Sequence, residues 1–210
     1  MDLPASTVVN RLVPKEKFYS KTSVSGKLRQ QFTDEIEKIR WANKIAPSTL
    51  NITSKEYAEL QVFEIVLKQS EISASVLKHI DTFIPYPILF VLKQPHATKA
   101  VISYKEAGIK NGNQMKVDSY YETSWLQELT LELKGRSVDE VYKNFLFQIA
   151  PKLKETAQTD TKSAIATNKE REKIQKQIEI INKKIASEPS LAKKQELARE
   201  RHLLESELIG

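Results

Sequence analysis

"LQVFEIVLKQSEISASVLKHIDTFIPYPILFVLK", residues 60–93, changes its hydrophobic period twice. Residues 60–68 are rich in β-branched and aromatic side chains and are short enough for a strand. Phe63, Ile65 and Leu67 fall on one side, and Val62, Glu64 and Val66 on the other. Residues 73–85 then recur at helical spacing through Val76, Leu77, Ile80 and Phe83. "PILFVLK" (87–93) is apolar without alternation, the pattern of a central strand covered on both faces. Strand, helix, strand is therefore the heart of the chain.

Working outward, "KAVISYK" (99–105) reads as a further strand, and Asn111-Gly112 is a hairpin-turn signal. "MKVDSYYETSW" (115–125) and "ELTLELK" (128–134) read as two more strands. In "SVDEVYKNFLFQIA" (137–150), Ser137 precedes Glu140 by three residues, a capping box ahead of an amphipathic helix. Upstream, Leu28, Phe32, Ile36 and Ile39 form a helical stripe that Pro47 ends. Residues 1–24 read as an extended arm with a short helical turn near Val8–Leu12. The expectation is an α/β (α+β) domain over 1–155, with a mixed sheet of about five strands and packed helices.

The tail has a different composition. Aromatic residues stop at Phe147. Ile174, Ile178, Ile181 and Ile185 make one apolar stripe, and Leu197, Leu204 and Leu208 make another beyond "SEPS" (187–190), where Pro189 suits the first turn of a second helix. Two amphipathic helices joined so closely fold back antiparallel, as a coiled-coil-like hairpin over 162–209. Its seam is narrow and Arg201 falls on it. A hairpin of this size is marginal alone, so those seven residues are expected to serve a docking surface against the body, a second copy or a partner protein.

Composition excludes several chemistries. With no cysteine among 210 residues, disulfides, thiolate catalysis and cysteine-bound zinc are out. The three histidines, His79, His96 and His202, are too scattered to form a metal site, and neither metal nor cofactor is expected. There is no membrane-length apolar run and no secretory pattern at the N-terminus, so the expected location is the cytoplasm. The net charge of +6 is concentrated in Arg11, Lys15, Lys17, Lys21, Lys27 and Arg29, with Phe18 and Tyr19 among them. That set is a candidate surface for nucleic acid or an acidic partner.

Catalytic patterns are sparse. Ser25-Gly26-Lys27 suggests the end of a phosphate loop, but Leu28 stands where the magnesium-binding hydroxyl belongs and Lys21 where the first glycine belongs. Ser23 or Ser25 as a helix cap is the simpler reading. Asp118 followed by Glu132-Leu133-Lys134 matches the acid, acid-x-lysine order of a Mg²⁺ nuclease if both segments are strands. Glu64 and Lys68 share a strand face but stand roughly 13 Å apart, too far for one metal-water cluster. His79 reads as a hydrogen-bonded, half-buried side chain, and Tyr120, Tyr121 and Trp125 as core or rim packing.

The stretches "VPKEKFY" (13–19), "KLRQQFTDEIEKIRWANKIAPSTLNI" (27–52), "VFEIVLK" (62–68), "IPYPILFVL" (84–92), "YYETSW" (120–125) and "VDEVYKNFLFQI" (138–149) together resemble the bacterial domain-of-unknown-function family 4391. The resemblance runs over nearly the whole chain and brings no catalytic residues. It implies a setting, since members are often encoded beside restriction-type helicases and DNA methyltransferases. In relatives the "VFEIVLK" strand more often carries an acid at the position of Val66, which argues against acid-x-lysine chemistry here. The resulting expectation is a non-catalytic accessory subunit of a restriction-like or phage-defence DNA-processing complex. Its partner would be such a helicase or methyltransferase, or a second copy of itself. The nuclease and a free-standing nucleic-acid-binding protein stand as alternatives.

Overall fold

Six strands form one sheet, and their spatial order is their chain order: β1 (Val8–Leu12), β2 (Ile36–Ile45), β3 (Leu60–Leu67), β4 (Ile88–Lys93), β5 (Thr98–Ala107) and β6 (Met115–Glu122). Neighbours are antiparallel except β3 and β4. A parallel pair needs a crossover, and α3 (Ala74–Phe83) supplies it. This computed structural model describes residues 1–20, 24–107, 115–156 and 161–209. They divide into two compact units, Met1–Pro151 and Lys152–Gly210.

Alternation along β3 sorts the core of the first unit. Phe63, Ile65 and Leu67 join Ile88, Phe90 and Leu92 of β4 under Val76, Leu77 and Ile80 of α3. Phe32 of α1 (Gly26–Glu35) completes that layer, fully buried. Val62, Leu89 and Ile102 point to the other face and are buried too. There α4 (Val138–Ile149) lies along β5 and buries Val141, Tyr142, Phe145 and Leu146. β4 is thus covered on both sides, as its unbroken apolar run requires.

Three expectations are corrected. The helix begun at Leu28 ends at Glu35, and Ile36–Ile45 is a strand. Its register shifts between Ile36 and Lys38, so Ile36 and Ile39, three apart, reach the same core. A bulge in a strand thereby imitates helical spacing. Val8–Leu12 is likewise a strand paired with β2, with Asn10 at φ 51 within its own register shift. Conversely, "ELTLELK" is not in the sheet, which has six strands rather than about five. Leu129 and Leu131 are buried in alternation, but the backbone of Glu132 bonds to the side chain of Gln148, donating to Oε1 at 2.8 Å and accepting from Nε2 at 2.9 Å. An α4 amide group takes the place of a neighbouring strand.

The helix starts behave as their caps dictate. Ser25 Oγ accepts from Leu28 N at 3.2 Å, so this serine is a helix cap; Ser23, Lys21 and the Asn111-Gly112 turn lie outside the described residues. Ser137 Oγ accepts from Glu140 N, while the Glu140 carboxylate reaches Arg136 N rather than Ser137 N. Pro47 opens the short helix α2 (Pro47–Leu50). Asp139, in the first turn of α4, accepts from Lys55 N, Glu56 N and Tyr57 N at 2.9, 2.8 and 3.3 Å. Asp139→Ala, which strands three donors, is expected to cost about 2 kcal/mol in urea unfolding. A loss under about 0.5 kcal/mol would show that water replaces the carboxylate freely.

The second unit begins with α5 (Pro151–Thr156), whose first residue closes the first unit. It continues as α6 (Thr161–Ser187) and α7 (Leu191–Ile209), packed on each other as a helical pair. Pro189 stands in the connection, not inside α7. Burial follows the apolar stripes: Ile178 and Ile181 are buried, and Ile174, Ile185, Leu197, Leu204 and Leu208 half-buried. Arg201 is on the seam and donates through Nη1 to Asn182 Oδ1 at 3.2 Å.

Candidate functional site

The basic N-terminal set is part of the folded unit, not an arm. Phe18 is buried against Phe32 and Phe83, and its carbonyl accepts from His79 Nε2 at 2.6 Å. This holds the short turn Lys15–Phe18 in place, and Lys15 Nζ donates to Ile36 O at 2.9 Å. Burial, then the charge of Lys68, pulls the Lys15 pKa down. Arg29 lies over the Tyr19 ring, 5.3 Å from its centroid. Arg11, Lys17 and Lys27 are exposed. Of the five described members, Lys15 is half-buried and serves local packing, while Arg11, Lys17, Lys27 and Arg29 are exposed, Arg29 against Tyr19.

The nuclease candidates lack the frame the reading needs. Asp118 is on β6, but Glu132 and Lys134 are on the irregular segment after it and form an exposed ion pair with each other. That hydrogen bond lowers the Glu132 pKa. Glu64 pairs with Lys93 at 2.5 Å and faces Arg40 at 3.9 Å, whereas Lys68 donates to Thr33 O. Among the described residues no group of three or more acids and histidines could hold a metal ion.

A different cluster forms a buried polar site in the first unit. Lys105 on β5 and Asp81 in the last turn of α3 are both fully buried, with Nζ 3.1 Å from Oδ1. Lys105 Nζ also faces the carbonyls of Asp81, Ile84 and Tyr86 at 3.1, 2.7 and 2.8 Å. Three ammonium protons thus serve four acceptors. The carbonyls are those of the α3 end and the chain leaving it, where a cation complements the helix dipole and an acid alone would oppose it. Tyr120 OH donates to Asp81 Oδ2 at 2.6 Å and Ser103 Oγ to Oδ1 at 3.3 Å. Burial pushes the Asp81 carboxyl up and the Lys105 ammonium down, and the attraction between them opposes both shifts. Tyr142 and Tyr57 close the cluster from the α4 side, donating to Ser103 O and Lys105 O. The cluster fastens α3 to the sheet.

Tyr120 also borders a cavity of about 110 Å³ between α3 and strands β4 to β6. Its floor is Leu77, Leu92 and Val101, and its rim is Lys99 with Glu71 and Glu122. Lys99 is 2.9 Å from Glu122, 3.8 Å from Glu71, and over the Trp125 ring. Its charge is already answered on both sides. Of the aromatic residues singled out in sequence, Tyr120 and Trp125 pack here, half-buried against the core.

In the second unit the notable feature is what remains outside the seam. Leu191 and Leu203 are 72% and 67% exposed, and Ile180 is 53% exposed. No described helix is long and apolar enough to cross a membrane. No curated protein and no solved structure matches the chain. The stretches that carry the resemblance noted above lie between residues 13 and 149, and the sequence model of that family reaches beyond them at both ends. That model, described as Domain of unknown function (DUF4391), matches residues 1–208, and the chain belongs to this family.

Proposed function

We propose that this protein is a non-catalytic accessory subunit of a prokaryotic DNA-processing system, of the restriction-like or phage-defence kind, and that its helical pair is the docking element. The observation that carries the proposal is the thinness of the α6–α7 seam. Only Ile178 and Ile181 among its seven apolar residues are buried, while Leu191 and Leu203 stand in solvent. Each leucine side chain left in water forgoes about 2 kcal/mol that a partner surface would recover. The partner favoured by the setting that the family resemblance implies is a restriction-type helicase or a DNA methyltransferase. The inward-facing polar groups of the first unit support a scaffold role.

The test is co-purification of the full chain with that helicase and methyltransferase, each expressed with it. A complex stable through gel filtration is expected with one of them. Leu191→Asp with Leu203→Asp should weaken it by about 100-fold or more, as two buried leucines would require. The melting temperature of the first unit should not change. Retention of the partner by the double variant, or by a chain ending at Pro151, would overturn the proposal. So would self-association of the isolated chain that accounts for the same residues without either partner.

A further inference from the structure

One side of the helical pair sets an apolar residue among charges of one sign on each helix. At about 100° per residue, Lys176, Lys183 and Lys184 lie within about 60° of Ile180 on α6, and no acid of that helix does. Lys173 lies there too but is engaged by Glu170. On α7, Glu196, Glu200 and Glu207 lie within about 60° of Leu203, with Arg199 alone opposing them at the outer margin. Ile180, Leu203 and these three lysines and three glutamates are all exposed. None of those six charges has an ion-pair partner among the described residues.

The two faces belong to one surface. Residues 188–190 turn α6 back into α7, so the helices run antiparallel. On each, the apolar seam lies about 120–130° further round in the direction of increasing residue number. In an antiparallel pair that equal turn brings both faces out on the same side. Asn182 and Arg201 are hydrogen-bonded across the pair. Two residues back on α6 and two forward on α7, Ile180 is level with Leu203. By the same count Lys176 is level with Glu207, and Lys183 with Glu200.

We infer that this side binds a second copy of the chain, α6 of one against α7 of the other, as a two-fold four-helix bundle. Ile180 then meets Leu203, Lys176 meets Glu207 and Lys183 meets Glu200, each pair occurring twice. Opposite charges flanking an apolar centre fix partner and orientation, as in coiled coils. A nucleic acid or an anionic membrane would answer the lysines, but its phosphates would also face the glutamates beside them. The partner has to offer acids to α6 and bases to α7 at matching heights, and the chain itself does so. Leu191, about 120° round from Leu203, looks to the other side. It is left to the docking proposed above, so either reading can fail without the other.

The experiment is sedimentation equilibrium of the full chain between about 5 and 200 µM, a range that resolves a weak interface. The parent is expected to be a mixture of monomer and dimer that Leu191→Asp leaves unchanged. Ile180→Asp should give monomer throughout, with the circular dichroism spectrum of the parent. Two charge-reversed chains decide the pairing. One carries Lys176→Glu, Lys183→Glu and Lys184→Glu, and the other Glu196→Lys, Glu200→Lys and Glu207→Lys. Each alone should dimerise at least about tenfold more weakly than the parent. Their equimolar mixture should recover the dimer, because every helix then faces its opposite charge. A parent that stays monomeric at about 200 µM overturns the inference. So does a mixture of reversed chains that stays monomeric, a dimer that survives Ile180→Asp, or one that Leu191→Asp abolishes.

Discussion

Lys105→Met is expected to destabilise the first unit by about 4 kcal/mol at neutral pH, close to the cost of breaking a buried pair from one side. Methionine fills most of the lysine's volume, so the loss is electrostatic. It leaves the Asp81 carboxylate buried with only Tyr120 and Ser103 as donors, and strips the Asp81, Ile84 and Tyr86 carbonyls of their shared partner. The pH dependence follows from the sign of the Asp81 shift. Burial already raises that carboxyl, with Lys105 pulling against it; without the lysine it rises further. The folded variant then holds a proton that the unfolded chain releases near pH 4, so its stability falls as pH rises from there to the folded pKa. Urea unfolding at about pH 5 and pH 7 should therefore show a smaller penalty at the lower value. A penalty below about 1 kcal/mol at both would mean that Lys105 contributes only its hydrocarbon stem.

Gly135→Ala should cost about 3 kcal/mol or more, combining a backbone conformation unsuited to L residues with a backbone clash. Gly135 has φ +145, and a Cβ there would meet Val141 N at 2.7 Å and the Glu140 Cβ and carbonyl carbon at 2.9 and 3.0 Å. Neither neighbour can yield, because Val141 N donates within the first turn of α4 to Ser137 O. Moving the segment instead would break the bond from Asn144 Nδ2 to Lys134 O and that from Arg136 N to Glu140. Gly26→Ala is the matched control. Nothing stands within 4 Å of its would-be Cβ, and it opens α1. There the change should be neutral or stabilising by about 0.5 kcal/mol. Equal melting temperatures for the two variants would sink the steric account.

The elements legible from sequence are those whose periodicity was uninterrupted. β3, α3 and β4 fall where residues 60–93 put them, and Ser137 marks the start of α4. β1 and β2 were hidden because each has a register shift that breaks strict alternation and, at Ile36 and Ile39, counterfeits a helix. "ELTLELK" erred in the opposite sense: its alternation is real, since Leu129 and Leu131 are buried, but alternation reports a two-sided environment and not a paired neighbour. The Asp81–Lys105 cluster did leave a trace. Val101, Ser103 and Lys105 share one parity on β5, and Asp81 lies four residues after Leu77 on the apolar stripe of α3. A positive and a negative residue, each on a core-facing position, is the mark of a buried pair; what sequence spacing could not supply was that the two elements meet.

The agreement between chain order and spatial order in the sheet bears on how the body is built. Each strand's mate on one side is the strand synthesised just before it, so no strand has to be threaded between two already joined. Assembly can proceed at a single advancing border, with loop closures of modest length, and α4 arrives last to seal the second face. Pulse-labelled hydrogen exchange should accordingly find protection of β5 and β6 well before that of α4.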